Sequence, residues 1–156
     1  MQIDIALASV RSSAAFALVY AAQDELDRRY GHVDADPTLD FDEFTPPRGA
    51  FLIARADTDL AGGVGLKVLT NNECSVGEIK RLWTRPDLRR HGVGRALMER
   101  AHETAREFGV VRLYLETGYA QPEAIAFYRS LGWTEVEAFP TGIGYHAQAT
   151  KFSLAV

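Results

Sequence analysis

The sequence predicts a mixed α/β fold in which helices pack against a central β-sheet. Three observations predict it: segments with alternating polar and apolar residues, segments with apolar residues at spacings of three and four, and the order of these segments. That order is strand, helix, two antiparallel strands, then strand, helix, strand, helix, strand. Because a helix between two strands of one sheet usually connects parallel neighbours, we expect a parallel pair around the central helix.

The first third of the chain predicts one strand, one long helix and one long loop. Residues 2–6 alternate as a short strand, and residues 12–30 have helical spacing, with Gly31 as the C-terminal stop. Residues 32–48 have no periodicity and include three prolines, which predicts a loop with a helical turn around residues 39–44. The apolar stripe predicted for the helix consists of Phe16, Val19, Ala22, Leu26 and Tyr30.

Three strands are predicted next. Residues 50–56 and 60–69 form an antiparallel pair joined by a short turn, and residues 76–84 form the following strand. Glycines inside a strand weaken it and mark a bulge or the close passage of another part of the chain. We therefore expect an irregularity in the second of these strands, which contains Gly62, Gly63 and Gly65.

The second half of the chain predicts two helices that alternate with strands. Residues 92–108 have an apolar helical face, and residues 111–116 alternate as a strand. A second helix is predicted at residues 121–131, with Pro122 well placed in its first turn. Residues 147–154 predict a final strand after an irregular segment that contains proline and glycine.

Composition limits the classes of function. The 156 residues are 47% hydrophobic and 24% charged, which predicts a single domain over residues 1–156 with a substantial core. A formal net charge of −4 disfavours a nucleic-acid partner. No apolar run approaches about 18 residues, so we expect no membrane span and a cytoplasmic protein. No residues suggest a metal site, and Cys74 has no second cysteine with which to form a disulfide.

A basic loop that contains two glycines joins the strand at residues 76–84 to the helix at residues 92–108. A helix N-terminus presents unpaired N–H groups to an anion, glycines let that anion approach the main chain, and guanidinium groups pair with phosphate oxygens. The alternative is a tight turn with a solvated basic face, and the usual nucleotide-binding glycine motifs do not fit. The ligand we expect is a pyrophosphate. The loop consists of Arg89, Arg90, His91, Gly92, Val93, Gly94 and Arg95.

Two motifs carry a family resemblance. The first is the loop Arg89-Arg90-His91-Gly92-Val93-Gly94, and the second is Gln121-Pro122-Glu123-Ala124-Ile125-Ala126-Phe127-Tyr128 followed by Leu131-Gly132-Trp133. They resemble the signature blocks Arg/Gln-x-x-Gly-x-Gly/Ala and Asn-x-x-Ala-x-x-x-Tyr with a Gly-Phe end, which characterise the GNAT superfamily of acyl-CoA-dependent N-acetyltransferases. Gln121 replaces the usual Asn, and Trp133 replaces the usual Phe. The resemblance is strong from about Val76 to Trp133, and by element order it covers most of the chain.

The resemblance implies a fold and an activity. The fold is a mixed central sheet of about six to seven strands with an antiparallel N-terminal part, a splayed parallel pair at the coenzyme A site, and about four flanking helices. The activity is direct transfer of an acetyl group from acetyl-CoA, as co-substrate and without a metal, to a primary amine. Dimers are common among similar proteins, so a homodimer is a further expectation. The rivals are a longer acyl donor and a non-catalytic acyl-CoA-binding sensor or interaction module.

The same resemblance implies which residues bind the cofactor. The backbone of one strand would pair with the pantetheine arm, and an N–H near Leu82 would stabilise the oxyanion. The main chain at Arg90 and His91 would contact the phosphates. The full expected set is Leu82, Trp83, Thr84, Arg89, Arg90, His91, Gly92, Val93, Gly94, Arg95 and Gln121.

Two catalytic residues are implied as well. Tyr128 would protonate the leaving thiolate, since a phenol with a pKa of about 10 keeps its proton at pH 7. Its alternative role is that of a half-buried packing residue. Glu78 would be the general base, and its alternative role is that of a solvated or ion-paired strand residue, with a water chain as the base. Glu116 and Tyr145 are weaker candidates.

The acceptor is expected to be a cation. In similar proteins the first helix, the loop after it and the segment before the last strand form the walls of the acceptor site, here residues 30–48 and 139–146. Negative potential in that loop would attract a small cationic amine or the amine of a lysine or protein N-terminus. The acidic residues of the loop are Asp34, Asp36, Asp40, Asp42 and Glu43.

Overall fold

The computed structural model of the protein describes residues 1–31, 37–70 and 73–156. In these residues seven strands are combined with three α-helices and one short 3-10 helix. In chain order they are β1 (Ile3–Ala8), α1 (Ser13–Tyr30), β2 (Gly49–Ala56), β3 (Asp59–Thr70), β4 (Ser75–Thr84), the 3-10 helix (Pro86–Leu88), α2 (Val93–Glu107), β5 (Val110–Thr117), α3 (Pro122–Ser130), β6 (Thr134–Val136) and β7 (Thr150–Ala155).

The strands form one sheet in the order β1-β2-β3-β4-β5-β7-β6. Strands β1 to β4 pair antiparallel, β4 and β5 pair parallel on either side of α2, and β7 pairs antiparallel with both β5 and β6. The predicted mixed sheet is therefore confirmed. The sequence did not predict β6, because three residues are too few to show an alternation, and β7 begins at Thr150 rather than at residue 147.

A layer of helices covers each face of the sheet. On the face that we call the α2 face, α2 and α3 pack on a core that includes Leu66, Leu113 and Phe152. On the opposite face, the α1 face, α1 packs on a smaller core that includes Phe51 and Ile53. Successive side chains of a strand point to opposite faces of the sheet. A site between two strands can therefore receive side chains from the α1 face and from the α2 face.

The ends of α1 match their sequence signals, but its buried stripe does not. The Ser12 hydroxyl accepts a hydrogen bond from the Ala15 N–H at 3.2 Å, and Gly31 ends the helix with a φ of 73°. The predicted stripe is wrong at Phe16, which is 38% exposed, whereas Leu18 is buried. A Cβ on Gly63 of β3 would lie only 2.9 Å from Leu18 Cδ1, so this glycine makes the room that Leu18 occupies.

The glycines of β3 lie beside a bulge, which is one of the two features that the sequence predicted there, but the extra residue belongs to β4. The register moves from the pair Gly65–Lys80 to the pair Gly63–Trp83, so two residues of β4 lie opposite one residue of β3. One of the two is Arg81, whose φ of 59° is unusual for a residue with a side chain. The bulge changes the course of β4 just before the basic loop.

Two further findings concern the described residues as a whole. No helix among them is both long enough and apolar enough to cross a membrane. No three His, Cys, Asp or Glu side chains in these ranges are grouped so that they could hold a metal ion. The single cysteine, Cys74, is exposed.

Candidate active site

The parallel strands β4 and β5 separate part-way along their length. Their last paired residues are Glu78 and Tyr114, although β4 continues to Thr84 and β5 to Thr117. Beyond Glu78 the two strands are no longer paired with each other, and we call the gap between their unpaired ends the cleft. The strand edge of β4 along this cleft includes the three residues predicted to pair with a pantetheine arm, Leu82, Trp83 and Thr84.

The side chains of Leu82 and Trp83 pack on the two cores, so the backbone of β4 is what borders the cleft. Leu82 packs in the α2-face core and Trp83 in the α1-face core. The indole Nε1 of Trp83 is buried and has no hydrogen-bond partner among the described residues. The carbonyl oxygen of Thr84 accepts a hydrogen bond from Arg89 Nε at 2.9 Å. Any ligand contact of Leu82 or Trp83 is therefore expected to involve the main chain.

Two left-handed residues shape the loop between β4 and α2. Arg90 has a φ of 66°, and Gly92, the residue before α2, has a φ of 88°. No side chain of the described residues caps α2, so the N–H groups of its first turn remain available. A Cβ on Gly94 would lie 3.4 Å from the Phe127 ring and 3.5 Å from Thr84 Oγ1, so the helix start lies close to α3 and β4. Unpaired N–H groups at the start of a helix are what an anion site requires.

The three arginines of the loop differ in their partners. Arg89 folds back onto α1, where its Nη2 lies 2.7 Å from Glu25 Oε1, and its Nε donates to the Thr84 carbonyl. Arg90 and Arg95 are exposed and have no ion-pair or hydrogen-bond partner within the described ranges. Two guanidinium groups therefore remain for an anionic ligand, whereas the third links the loop to α1.

The remaining loop residues hold this arrangement in place. His91 is exposed, and its Nδ1 lies 2.9 Å from the carbonyl oxygen of Arg89. Val93 is 1% exposed and belongs to the α2-face core. The loop is thus anchored at the first residue of α2, while Gly92 before it is exposed.

Gln121 stabilises the turn between β5 and α3. Its side-chain oxygen accepts hydrogen bonds from the Gly118 N–H at 3.2 Å and from the Tyr30 hydroxyl at 3.4 Å. Arg29 donates to the carbonyl of Ala120 at 2.9 Å, so the last turn of α1 is docked on the same segment. The amide nitrogen of Gln121 has no partner in the described part of the chain, and its predicted contact with the cofactor stays a prediction.

Tyr128 lies on the α2 face and is 7% exposed. Its ring packs against Phe127, Trp133 and Phe152, at centroid distances of 5.4, 6.2 and 5.9 Å. The hydroxyl has no hydrogen-bond partner among the described residues, and burial raises the pKa of the phenol well above its ordinary value. The packing role and the proton-donor role are therefore compatible, since both need a buried, neutral phenol.

Glu78 lies on the α1 face at the last rung between β4 and β5. The residue is 4% exposed, and its Oε1 lies 3.3 Å from the Nζ of Lys80. Burial raises the pKa of the carboxyl group, and the charges of Lys80 and Lys67 oppose part of this shift. The two predicted catalytic residues, Glu78 and Tyr128, thus lie on opposite faces of the sheet.

A carboxylate–imidazole pair borders the cleft on β5. Glu116 lies two residues beyond the last rung, and its Oε2 accepts a hydrogen bond from the main-chain N–H of His146 at 2.8 Å. Its Oε1 lies 2.7 Å from His146 Nδ1. Glu116 is one of the weaker base candidates that the sequence predicts, whereas His146 is not among those candidates. A single histidine in an irregular segment carries no signal, because only the folded chain brings it to Glu116.

Aromatic side chains cover the same part of the α1 face. The rings of Tyr114 and Phe139 have centroids 5.7 Å apart, and those of Phe139 and Tyr145 are 6.2 Å apart. The Nζ of Lys151 lies 4.3 Å from the centroid of the Tyr145 ring. The segment before β7 therefore borders the cleft, where the sequence placed one wall of the acceptor site.

The acidic run before β2 is partly used for local structure. The Oδ1 of Asp40 accepts a hydrogen bond from the Glu43 N–H at 2.9 Å, and Glu43 forms an ion pair of 3.1 Å with Lys67. These two acids thus stabilise their own loop and bind it to β3. Two other members of the run, Asp34 and Asp36, lie outside the described residues.

Comparisons with known proteins identify the family of the chain. The model of the acetyltransferase (GNAT) family matches residues 16–133. The uncharacterized N-acetyltransferase YjgM of Escherichia coli K12 is 34% identical over 109 residues, which span 69% of this chain and 65% of that protein. The IAA acetyltransferase of Azospirillum brasilense is 35% identical over 115 residues, which span 72% of this chain and 74% of that protein.

The fold has a solved counterpart that contains the cofactor. The PaiA N-acetyltransferase of Thermoplasma acidophilum, in complex with coenzyme A, superposes with a TM-score of 0.74 over 100% of both chains at 17% identity. The family match and these relatives define the class as that of acyl-CoA-dependent acetyltransferases. The chain belongs to the acetyltransferase (GNAT) family, which confirms the resemblance seen in the two motifs. Acyl transfer from acetyl-CoA to an amine is the general activity of this family.

Proposed function

We propose that the protein transfers an acetyl group from acetyl-CoA to a primary amine by direct attack, without an acyl-enzyme. The observation that carries this proposal is the cleft between β4 and β5. It combines an anion site made by the backbone at α2 with the buried phenol of Tyr128 on one face and the buried carboxyl of Glu78 on the other. A homodimer stays a prediction.

The residues present fit coenzyme A. The N-terminus of α2, together with Arg90 and Arg95, would hold the diphosphate. The space at the loop is open, because the nearest atom to a Cβ built on Gly92 is Ile3 Cδ1 at 4.0 Å. The unpaired edge of β4 after Glu78 offers backbone groups to the pantetheine amides in the manner of an added strand.

The α2 face supplies the proton for the leaving group. Bound acetyl-CoA supplies a thioester, so that a nitrogen–carbon bond forms, the carbon–sulfur bond breaks, and sulfur leaves as a thiolate. Tyr128 gives its proton to this sulfur, and burial keeps the phenol protonated until then. A main-chain N–H near Leu82, in the bulged part of β4, would stabilise negative charge on the carbonyl oxygen.

The α1 face supplies the base. Glu78 would accept a proton from the attacking nitrogen, and burial brings the pKa of its carboxyl group closer to neutral pH, where a base is most effective. The charge of Lys80 favours the ionised form of the Glu78 carboxyl group, which is the form that accepts a proton.

The same face favours a cationic acceptor. Glu78 and Glu116 lie beside the cleft, where Lys80, Lys67 and Lys151 offset part of their charge. The Nζ of Lys151 lies over the exposed ring of Tyr145, so an ammonium group is accommodated on this face. We therefore propose a small cationic amine, or the amine of a lysine or protein N-terminus, as the acceptor. The acidic loop contributes less, because Asp40 and Glu43 have structural partners.

The test is a thiol-release assay with acetyl-CoA against a panel of small diamines, a lysine peptide and a peptide with a free N-terminus. We expect release with one amine class, and a loss of about 10²-fold or more in kcat for Tyr128→Phe, which removes only the proton donor. The matched control is Tyr20→Phe, since Tyr20 lies on the exposed side of α1 and should leave kcat unchanged.

Two results would count against the proposal. A Tyr128→Phe variant with the kcat of the wild type would remove Tyr128 as the acid. Tight binding of acetyl-CoA without thiol release for any amine would favour the non-catalytic sensor instead.

A further inference from the structure

The proposed reaction needs two proton acceptors on the amine side. An alkylamine with a pKa of about 10 is an ammonium ion at pH 7, and its nitrogen loses two protons before it becomes an amide. The leaving sulfur takes up one proton as the thiol forms, so each turnover releases one proton to solvent. Glu78 is 4% exposed and accepts one proton at a time. A second acceptor in contact with water would let the protein use the abundant ammonium form of the amine, and this step rests on the proposed function.

The pair Glu116–His146 has the geometry of an oriented base. A carboxylate oxygen can only accept a hydrogen bond, so the 2.7 Å contact with Glu116 assigns the ring proton of neutral His146 to Nδ1. The second carboxylate oxygen holds the main-chain N–H of the same residue at 2.8 Å. Both contacts fix the imidazole, and Nε2 is left with a free lone pair.

His146 also has access to water and lies on the required side of the cleft. Its side chain is 90% exposed, whereas the side chain of Glu116 is 20% exposed. Glu116 lies on β5 beyond the last rung, on the same face as Glu78, and the two carboxylates interact electrostatically. The imidazole is thus placed at the solvent side of the acceptor wall.

We propose that His146 removes the first proton from the incoming ammonium group at Nε2 and releases it to solvent, and that Glu116 positions it. The nitrogen then enters the cleft as a neutral amine, and Glu78 takes the second proton during acyl transfer. After the products leave, Glu78 gives this proton up to water and Tyr128 regains one from water, so that the net release is one proton per turnover. Glu116 touches neither reactant and acts through His146. The imidazolium formed in the first step is stabilised by the charge of Glu116 until water accepts the proton.

The charged groups around this pair are compatible with the role. On β7, Lys151 is the neighbour of Glu116 in the register of the two adjacent strands, and its Nζ lies over the Tyr145 ring. On β4, Glu78 forms an ion pair with Lys80, and Glu78 is opposite Tyr114, two residues before Glu116 on β5. Of the three histidines in the described residues, only His146 is hydrogen-bonded to a carboxylate.

The experiment compares two amines that differ in their charge at pH 7. An alkylamine enters as an ammonium ion, whereas an alkoxyamine is already neutral. For His146→Gln we expect kcat/KM to fall about 10²-fold with the alkylamine, the typical loss for a general base, and less than about threefold with the alkoxyamine. Glu116→Ala should show the same selective loss to a smaller degree. The control His102→Gln, on α2, should change neither value.

Nitrogen-15 NMR of the imidazole gives a readout that does not depend on turnover. We expect the wild type to show the Nδ1–H tautomer of His146 and Glu116→Ala to lose this preference. An Nε2–H tautomer in the wild type, or an equal loss with both amines, would overturn the proposal, since the latter marks a structural role. An unchanged His146→Gln variant would overturn it while leaving the proposed function intact, whereas a wild type inactive with every amine would overturn both.

Discussion

The two sides of the β4–β5 cleft are built from different parts of the protein. The α2 side relies on backbone: the left-handed Gly92, the uncapped start of α2 and the open edge of β4, with the neutral Tyr128 beside them. The α1 side relies on charged side chains, of which Glu78 and Glu116 are the central ones. We infer that the first side sets the affinity for the acyl donor and the second side selects and deprotonates the acceptor.

The strongest test of this division is Glu78→Gln. We expect kcat to fall about 10²-fold because the variant lacks the base, and the KM for acetyl-CoA to stay within about twofold because the backbone of β4 is unchanged. Steady-state kinetics with either substrate varied measure both values. A loss that appears only in the KM for acetyl-CoA would contradict the division. Glu99→Gln, an exposed position on α2, is the control.

The same variant gives a prediction for stability. The raised pKa of Glu78 means that the folded protein binds this proton more tightly than the unfolded chain does. As pH rises from the ordinary carboxyl pKa of 4.5 through the raised pKa of Glu78, the free energy of unfolding of the wild type falls. The glutamine variant has no such group, so its free energy of unfolding does not fall for this reason. The difference in Tm, variant minus wild type, should therefore be more positive at pH 8 than at pH 5. A difference independent of pH would show that Lys80 cancels the effect of burial.

The backbone side is tested by Gly92→Ala. A residue with a side chain pays about 1–2 kcal/mol in the left-handed conformation, so we expect a lower Tm and a KM for acetyl-CoA raised about five- to tenfold. The control is Gly109→Ala at the other end of α2, where φ is 77° and no atom lies within 4 Å of the added Cβ. It should lose similar stability without a change in KM. Equal KM values for both variants would show that the loop conformation does not bind the donor.

The same contrast explains what the sequence could predict. A backbone site leaves marks in the sequence, because only glycine tolerates positions such as Gly92 well, and a bulge favours glycines such as Gly63 and Gly65. The sequence alone therefore predicts the fold and the loop. The pairing of Glu116 with His146 joins residues 30 positions apart through the packing of an irregular segment. No periodicity or motif marks such a contact, so only the folded chain shows it.

The smallest expected effect concerns the contact that joins the two sides. Glu25 of α1 holds Arg89 of the basic loop at 2.7 Å, and both side chains are partly buried. Glu25→Gln should release this guanidinium toward the diphosphate site and lower the KM for acetyl-CoA by about two- to threefold at low salt, in line with the modest strength of such ion pairs. The ion pair Arg100–Glu103, on the exposed side of α2, provides the control variant Glu103→Gln, which should leave KM unchanged. A raised KM in Glu25→Gln would reverse the interpretation: Arg89 would then act by holding the loop in its binding conformation, and α1 would belong to the donor site as well as to the acceptor site.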